Sequence, residues 1–203
     1  FSSLPFITPY VSIEDRTQTI LYYIVYPPAA GHHALLHLCG IHAQLGGHFG
    51  QNGANAVYLG VGAFNARQGA KNFTPQTLVD AIKYCHIRGV AVHLTLNTLV
   101  SDRETKELCE LIRHAAQNNI DAFIVQDLGV VQLCRQIAPH VPIHGSTQMT
   151  VHSLDGVKLC QAMGLSRVVL SRELSREEIR YICANTDMEI EAFGHGALCM
   201  CYS

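Results

Sequence analysis

Val90-Ala-Val-His-Leu-Thr-Leu-Asn97 and Ala122-Phe-Ile-Val-Gln-Asp127 are two short runs of β-forming residues separated by a helical pattern. Both runs are apolar almost throughout, as parallel strands covered on both faces should be. Between them, Ser101 followed by Glu104 has the pattern of a capping box, and apolar residues recur at helical spacing over residues 108–115. The stretch therefore predicts a strand–helix–strand unit that joins two parallel strands.

The same alternation continues on both sides of this unit. Four more candidate strands of similar composition lie at residues 56–60, 141–147, 167–171 and 189–193, with helical patterns between them. Two of these helices have start signals, Thr74-Pro75 for one and Ser175 with Glu178 for the other. Successive strand and helix units imply right-handed crossovers and a parallel sheet, which could be an open sheet or a closed barrel.

Polar residues at the strand ends favour a barrel. Asn97, Gln126, Gln148, Glu173 and His195 each follow or end a candidate strand. A ring of polar residues at the C-terminal ends of the strands is typical of a (β/α)8 TIM-type barrel, whose active site lies there. We predict an incomplete parallel barrel in which about six strands are visible between residues 54 and 193. One further strand is expected before residue 53 and one beyond residue 203.

Composition limits the class of protein. The chain has 203 residues, 48% of them apolar, and a formal net charge of −2, so it is not a basic nucleic-acid module. It has no apolar run long enough to span a bilayer and no signal-peptide pattern, which predicts a cytoplasmic protein without a membrane partner. Five cysteines occur singly in helical patterns and are predicted to be small buried apolar residues: Cys85, Cys109, Cys134, Cys160 and Cys183.

The last strand leads into a motif. Residues 189–203 read Glu-Ile-Glu-Ala-Phe-Gly-His-Gly-Ala-Leu-Cys-Met-Cys-Tyr-Ser, and the spacing of Glu191, Phe193, His195 and Cys199 resembles the signature of the peptidase U32 family. Upstream strings are similar to that family in the same order: Gly53–Gly60, Phe64–Arg67, Asn97-Thr98 and Ser146–Met149. The resemblance covers about residues 51–203. It implies a partial U32 barrel domain over those residues.

The resemblance also implies an activity. Some members of the family look like iron–sulfur proteins that hydroxylate tRNA or rRNA pyrimidines without oxygen, with prephenate as the apparent hydroxyl donor. The family name comes from a collagenase-like peptidase activity, which is the alternative, and hydroxylation of ubiquinone precursors is a further one. Thiolates are the usual ligands of a 4Fe-4S cluster, so Cys199 is the expected first metal ligand, with the others beyond Ser203. RNA is the expected partner, or a peptide if the alternative holds.

Strand-end position and the resemblance together give the candidate site residues. Glu191 and His195 are the candidate catalytic residues, and a carboxylate inside a strand would be paired or line the barrel mouth. Arg67 could hold a carboxylate of prephenate through its fork of N–H groups. The candidate substrate-binding residues are Asn65, Arg67, Asn97, Ser146, Thr147 and Gln148. Ser146 to Gln148 could equally cap a strand end, and His93 is expected to be a core histidine.

Residues 1–50 do not fit the family pattern. Residues 31–50 contain five of the twelve histidines but show neither a strand alternation nor a helical stripe. The spacing from His37 to His48 matches no zinc pattern, so no metal site is predicted there. We expect residues 1–50 to be a non-matching segment, of upstream or frame-shifted sequence, that packs poorly and contributes little to the core.

Overall fold

The computed structural model of the chain describes residues 22–26, 37–39, 55–66 and 72–195, with side chains for 55–66 and 72–193. Within these residues, strands and helices alternate along the chain as the sequence predicts. Their bounds are β1 Tyr22–Tyr26, β2 His37–Cys39, β3 Ala56–Gly60, α1 Pro75–His86, β4 Ala91–Leu96, α2 Thr105–Gln117, β5 Ala122–Val125, α3 Leu128–Ile137, β6 Ile143–Gly145, α4 Leu154–Ala162, β7 Arg167–Val169, α5 Arg176–Ala184 and β8 Glu189–His195.

The strands form one sheet in the order β1-β8-β7-β6-β5-β4-β3-β2. From β2 to β8 every neighbouring pair is parallel and each strand lies beside the next one in the chain. The six strands predicted between residues 56 and 193 are therefore confirmed, as is their parallel order. The sheet curls into an incomplete barrel with the helices on its outer surface.

Two strands from the first 50 residues complete the edges of the sheet. β2 is the strand expected before residue 53 and lies beside β3, whereas β1 pairs with β8 in antiparallel orientation and was not predicted. Cα atoms of β1 and β2 approach within 8 Å, so the two edges of the sheet face each other. The side chains of both strands lie outside the described residues, as does the further strand expected beyond residue 203. The small core contribution of residues 1–50 stays a prediction.

Local signals fix the starts of two helices as predicted. α1 begins at Pro75 behind the N-cap residue Thr74, whose hydroxyl accepts a hydrogen bond from a backbone N–H of the first turn. In α5, Ser175 and Glu178 form the predicted capping box. These contacts satisfy backbone donors that a helix start would otherwise leave without partners.

The start of α2 differs from the prediction. The helix begins at Thr105, and Glu104 occupies the N-cap position without a side-chain capping bond. The expected contact does form, since the backbone N–H of Ser101 donates to Glu104 Oε2 at 2.9 Å, but it closes the turn before the helix. The capping-box pattern therefore located the loop correctly and placed the helix start about one turn too early.

The main apolar core lies between the sheet and the helices. Leu94, Phe123 and Ile190 come from the strands, Leu108 and Ile112 come from α2, and all five are at most 1% exposed. Alternate strand residues face the barrel interior instead, because successive side chains of a strand point to opposite faces. The interior therefore holds a second set of side chains, and these lead to the candidate site.

Candidate functional site

The C-terminal ends of the parallel strands meet at one rim of the barrel. Asn97 follows β4, Gln126 follows β5, Ser146 follows β6, Ser171 lies just after β7, and β8 ends at His195. Because these strands run in the same direction, the residues that follow them lie at the same end of the sheet. The strand ends of the predicted rim therefore lie at one end of the sheet, and Gln148 and Glu173, which the prediction also named, follow on the loops after β6 and β7. Of His195 only the backbone is described.

Hydrogen bonds join the loops at this rim. Asn97 Oδ1 accepts from the backbone N–H of Ala66 at 3.1 Å, which ties the loop after β3 to the end of β4. The Thr147 hydroxyl donates to the Leu170 carbonyl at 3.4 Å, which ties the loop after β6 to the end of β7. The rim loops are thus held by contacts between neighbouring strands, and the predicted residues Asn97 and Thr147 make two of them.

Asn65 is packed against the end of β3. Its side chain is 4% exposed, and its Nδ2 donates to the Gly62 carbonyl at 3.0 Å. A Cβ at Gly60 would lie 2.4 Å from Asn65 Cγ, a distance that no real contact tolerates. Glycine at position 60 is therefore required for Asn65 to occupy this place beside the barrel mouth.

The residues after β6 form a tight turn at the mouth. Ser146 is 2% exposed, and its hydroxyl accepts from the backbone N–H of Gln148 at 3.3 Å, so it caps the short 3-10 helix Thr147–Met149. The Oε1 atom of Gln148 is buried and has no hydrogen-bond partner among the described residues. A buried acceptor without a donor is costly, so this atom is suited to receive a donor from a bound molecule.

Glu191 lies inside the barrel and is paired. Its side chain is 5% exposed, and Arg167 Nη1 donates to its Oε2 at 3.2 Å. The same guanidinium donates to Glu189 at 2.8 Å, so Arg167 joins β7 to β8 through two carboxylates. A carboxylate inside a strand was expected either to be paired or to line the barrel mouth. The structure shows that Glu191 is paired. The catalytic role of Glu191 stays a prediction.

A small apolar cluster lies in the barrel interior beside this charged pair. Tyr58, Ile124 and Val169, from β3, β5 and β7, form a buried cluster against which Phe193 packs. Alternate strands of a parallel barrel contribute side chains to the same interior layer. Val169 is the register partner of Glu191, and Phe193 is one inward-facing position nearer the rim than Glu191 on β8, so the cluster lies beside Glu191 and Phe193 lies between Glu191 and the end of the strand.

Two histidines share the interior with Arg167. His93 on β4 and His144 on β6 are each 6% exposed, and their rings meet edge to face with centroids 4.9 Å apart. His93 is therefore buried in the barrel, whereas its expected role as a core histidine and not a ligand stays a prediction. His144 and Arg167 were not predicted, although the alternation of strand residues places both on the interior face, and that alternation could have revealed them.

A third residue missed from the sequence lies at the rim itself. Arg172 follows β7, is half-buried, and holds its guanidinium carbon 5.8 Å from the centroid of the Phe193 ring. The neighbouring Glu173 accepts a hydrogen bond from the Ser171 hydroxyl. Arg172 could have been predicted from its position, because a basic residue just after a barrel strand is placed at the active face.

The described cysteines do not form a metal site. The five cysteines whose side chains are described lie on the outer helices, one on each of α1 to α5. Burial raises the pKa of the Cys134 thiol to about 12, and it also raises the pKa values of Cys85, Cys160 and Cys183. The described part of the chain contains no cluster of metal-binding side chains. The predicted ligand Cys199 and the predicted clamp Arg67 lie outside the described residues.

The sequence was compared with protein families and with individual proteins. The sequence model of Peptidase family U32 matches residues 47–203. The chain is 38% identical to the 23S rRNA 5-hydroxycytidine synthase of Escherichia coli K12 over 75% of its length, and 34% identical to tRNA hydroxylation protein P1 of Bacillus subtilis over 74%. It is also 38% identical, over 74%, to a protein of Methanocaldococcus jannaschii described as an uncharacterized protease. The chain spans 23%, 36% and 38% of these three relatives.

Solved structures support the barrel fold. The U32 peptidase Mk0906 superposes with a TM-score of 0.59 at 15% identity, over 76% of this chain and 65% of that one. The putative copper homeostasis protein CutC of Streptococcus agalactiae gives a TM-score of 0.61 at 15% identity, over 76% and 84% of the two chains. At such identities the likeness shows the fold alone. Within the described residues, no helix has the length and apolarity needed to cross a bilayer.

Proposed function

Because the chain belongs to peptidase family U32, we propose that it forms part of the barrel of an enzyme that hydroxylates pyrimidines in tRNA or rRNA. Two relatives with 38% and 34% identity are named for hydroxylation of rRNA and tRNA, and this similarity carries the proposal. The enzyme acts without oxygen, and prephenate is the proposed hydroxyl donor. We place the reaction in the cytoplasm, where the RNA substrates are.

The rim geometry is compatible with a nucleobase. Gln148 offers a buried acceptor to an N–H group, and both cytosine and uracil carry N–H groups on their pairing edges. Asn97 and Asn65 fix the loops on the other side of the mouth. A pyrimidine that is unstacked from its RNA could enter such a mouth, as enzymes that modify bases require. In this proposal Ser146 and Thr147 shape the turn that carries Gln148.

An iron–sulfur cluster is proposed for the whole protein. The thiols of the described residues do not fit a cluster, because they are distributed over the outer helices. Cys199 is the proposed ligand, since it follows β8 by four residues at the rim end of that strand. The cluster would supply electron-transfer chemistry to the reaction, and other thiolates of the protein would complete its ligands. His195 is proposed to hold or move a proton at the rim.

A peptidase is the second candidate function. The observation that favours it is the similarity to a relative described as a protease, at 38% identity. A cysteine peptidase needs a thiolate and a neighbouring base. Cys199 and His195 are the proposed pair, because the five cysteines whose side chains are described lie on the outer helices. Hydroxylation of a ubiquinone precursor is a further candidate at the same rim.

One experiment separates these functions. The full-length protein, purified without oxygen, is incubated with prephenate and with tRNA and rRNA from a host that lacks the hydroxylation. Mass spectrometry of the digested RNA is expected to show a pyrimidine that has gained one oxygen atom. The same preparation is incubated with denatured collagen and with ubiquinone precursors. Peptide cleavage or a hydroxylated quinone precursor, with unmodified RNA, would contradict the proposal.

A further inference from the structure

A cavity opens at the end of the barrel opposite the mouth, and we call it the basal cavity. Its volume is about 420 Å³, and it lies where β6 and β7 begin, between the loop after α3 and the loop after α4. Binding sites for small ligands have volumes of roughly 300–1,000 Å³. The described residues that line the basal cavity include the basic side chains Arg135 and His140 and no carboxylate. Its charge therefore favours an anionic ligand.

The end of α4 holds the guanidinium of Arg135 in place. Arg135 lies in the last turn of α3, and its Nη1 donates at 2.7 Å to the carbonyl of Met163, the C-cap residue of α4. The next residue, Gly164, has a φ of 86°, and a Cβ there would lie 3.0 Å from Arg135 Cζ. Glycine thus leaves room for the guanidinium beside the helix end. The position of this cation is set before any ligand binds.

The contact with Met163 leaves most of the Arg135 fork open. A guanidinium has five N–H donors, and this contact uses one of them. Within the described part of the chain Arg135 takes part in no ion pair, whereas Arg167 binds two carboxylates. The Arg135 residue is also exposed to solvent. Its remaining donors can therefore bind an anion that enters the basal cavity.

His140 lines the same cavity from a short turn. The backbone N–H of Val141 donates to the Ala138 carbonyl at 3.0 Å, which closes a four-residue turn with Pro139 and His140 at its centre. Proline at the first central position favours such a turn, because its ring fixes φ in advance. An imidazole has an N–H donor in either protonation state. Donors from two separate elements, α3 and the turn after it, thus line one cavity.

We propose that the basal cavity binds a phosphate group through the Arg135 guanidinium and the His140 imidazole. A carboxylate is planar and can be bound by one guanidinium alone, whereas a phosphate also has oxygens outside that plane, which accept from a second donor. The phosphate belongs either to the backbone of the RNA substrate or to a small phosphorylated molecule. The site itself does not depend on the proposed function, and only its assignment to RNA rests on that function.

The first test measures the site without RNA. Phenylglyoxal modifies arginine guanidinium groups, and mass spectrometry reports the modification of each arginine in the full-length protein. Inorganic phosphate at about 10 mM, compared with sodium chloride of equal ionic strength, is expected to slow modification of Arg135 about threefold or more. Arg113, exposed on α2, is the control and should react equally in both salts. Equal rates for Arg135 in the two salts, or equal slowing at Arg113, would overturn the proposal.

Variants of His140 test whether the basal cavity is the site of this protection. His140→Glu places a carboxylate in the cavity with Arg135 and leaves the contact between Arg135 and Met163 intact. Phosphate should then no longer slow modification of Arg135, because the carboxylate repels it. His140→Gln keeps an N–H donor and is the matched control, which should retain part of the protection. Because His140 is exposed on a turn, both variants are expected to fold. Full protection of Arg135 in His140→Glu would overturn the proposal.

Binding of RNA to the full-length protein at several salt concentrations identifies the source of the phosphate. If an RNA phosphate occupies the cavity, Arg135→Gln raises the Kd for RNA about three- to tenfold and lowers the slope of log Kd against log salt by about one. Arg113→Gln, which removes the same charge from α2, should change neither. An unchanged Kd in Arg135→Gln, with phosphate protection in the wild type, identifies a small phosphorylated molecule. A wild-type protein that neither binds nor hydroxylates RNA would contradict the proposed function alone, since protection by inorganic phosphate needs no RNA.

Discussion

Arg167 Nη1 lies 3.2 Å from Glu191 Oε2 inside the barrel, where the two side chains are 9% and 5% exposed. The pair joins β7 to β8 beside the buried cluster of Tyr58, Ile124 and Val169. It thereby supports the strand that carries Phe193 and ends at His195. Glu191, which belongs to the family motif, is thus bound by Arg167, which does not belong to it.

Removal of Arg167 is expected to destabilise the protein strongly. Arg167→Met removes the guanidinium from the buried Glu191 carboxylate, and breaking a buried ion pair in this way costs about 3–5 kcal/mol. The free energy of unfolding is measured by urea denaturation. Glu189→Gln is the matched control, because Glu189 is 38% exposed and its loss leaves the buried pair intact. An Arg167→Met protein as stable as this control would show that the buried pair contributes little.

Gly60 is expected to be required for the packing of Asn65. Alanine at this position would place its Cβ 2.4 Å from Asn65 Cγ, which forces the asparagine out of its site and costs about 1–3 kcal/mol of stability. Gly156→Ala is the milder comparison, because the nearest atoms there lie 3.3 Å away and need to move by only a few tenths of an ångström, while alanine favours the helix α4. The double variant Gly60→Ala/Asn65→Ala should recover part of the loss, and a wild-type-like Gly60→Ala protein would contradict the packing.

Cys134 is expected to resist alkylation in the folded protein. Burial raises the pKa of this thiol from 9.0 to about 12, and the thiolate is the reactive form. Site-resolved mass spectrometry after iodoacetamide treatment at pH 8 should show much slower labelling of Cys134 than of the half-buried Cys109. In denaturant the two rates should become similar. Faster labelling of Cys134 in the folded state would contradict its burial.

The same thiol also gives a pH dependence of stability. The raised pKa means that the folded protein holds this proton more tightly than the unfolded chain does. The contribution of the raised pKa to the free energy of unfolding is fully present below about pH 9 and is lost as the pH rises toward 12. In Cys134→Ala the free energy of unfolding should fall less between these two pH values than in the wild type. A fall of equal size in the variant would show that other groups cause it.

The parallel barrel could be predicted because its strands are short, apolar and separated by helices with clear start signals. β1 was missed although Tyr22-Tyr-Ile-Val-Tyr26 is rich in strand-forming residues, because an antiparallel edge strand does not belong to the repeating strand and helix unit. Arg167 and His144 were missed because single polar residues within apolar strands were not assigned to a face. The contacts of Arg167 with Glu191 and of His144 with His93 depend on the register between strands, which the sequence of one strand does not contain.

The measurement that tests the account most directly combines iron content with RNA hydroxylation in variants of Cys199. The full-length protein, Cys199→Ser and the control Cys201→Ser are purified without oxygen, and iron, sulfide and hydroxylated pyrimidine are quantified in each. We predict that Cys199→Ser loses iron, sulfide and product together, because serine replaces a thiolate ligand, while Cys201→Ser retains all three. An iron-free wild-type protein with full RNA hydroxylation would contradict the account, as would a Cys199→Ser protein that loses peptide cleavage at unchanged iron content.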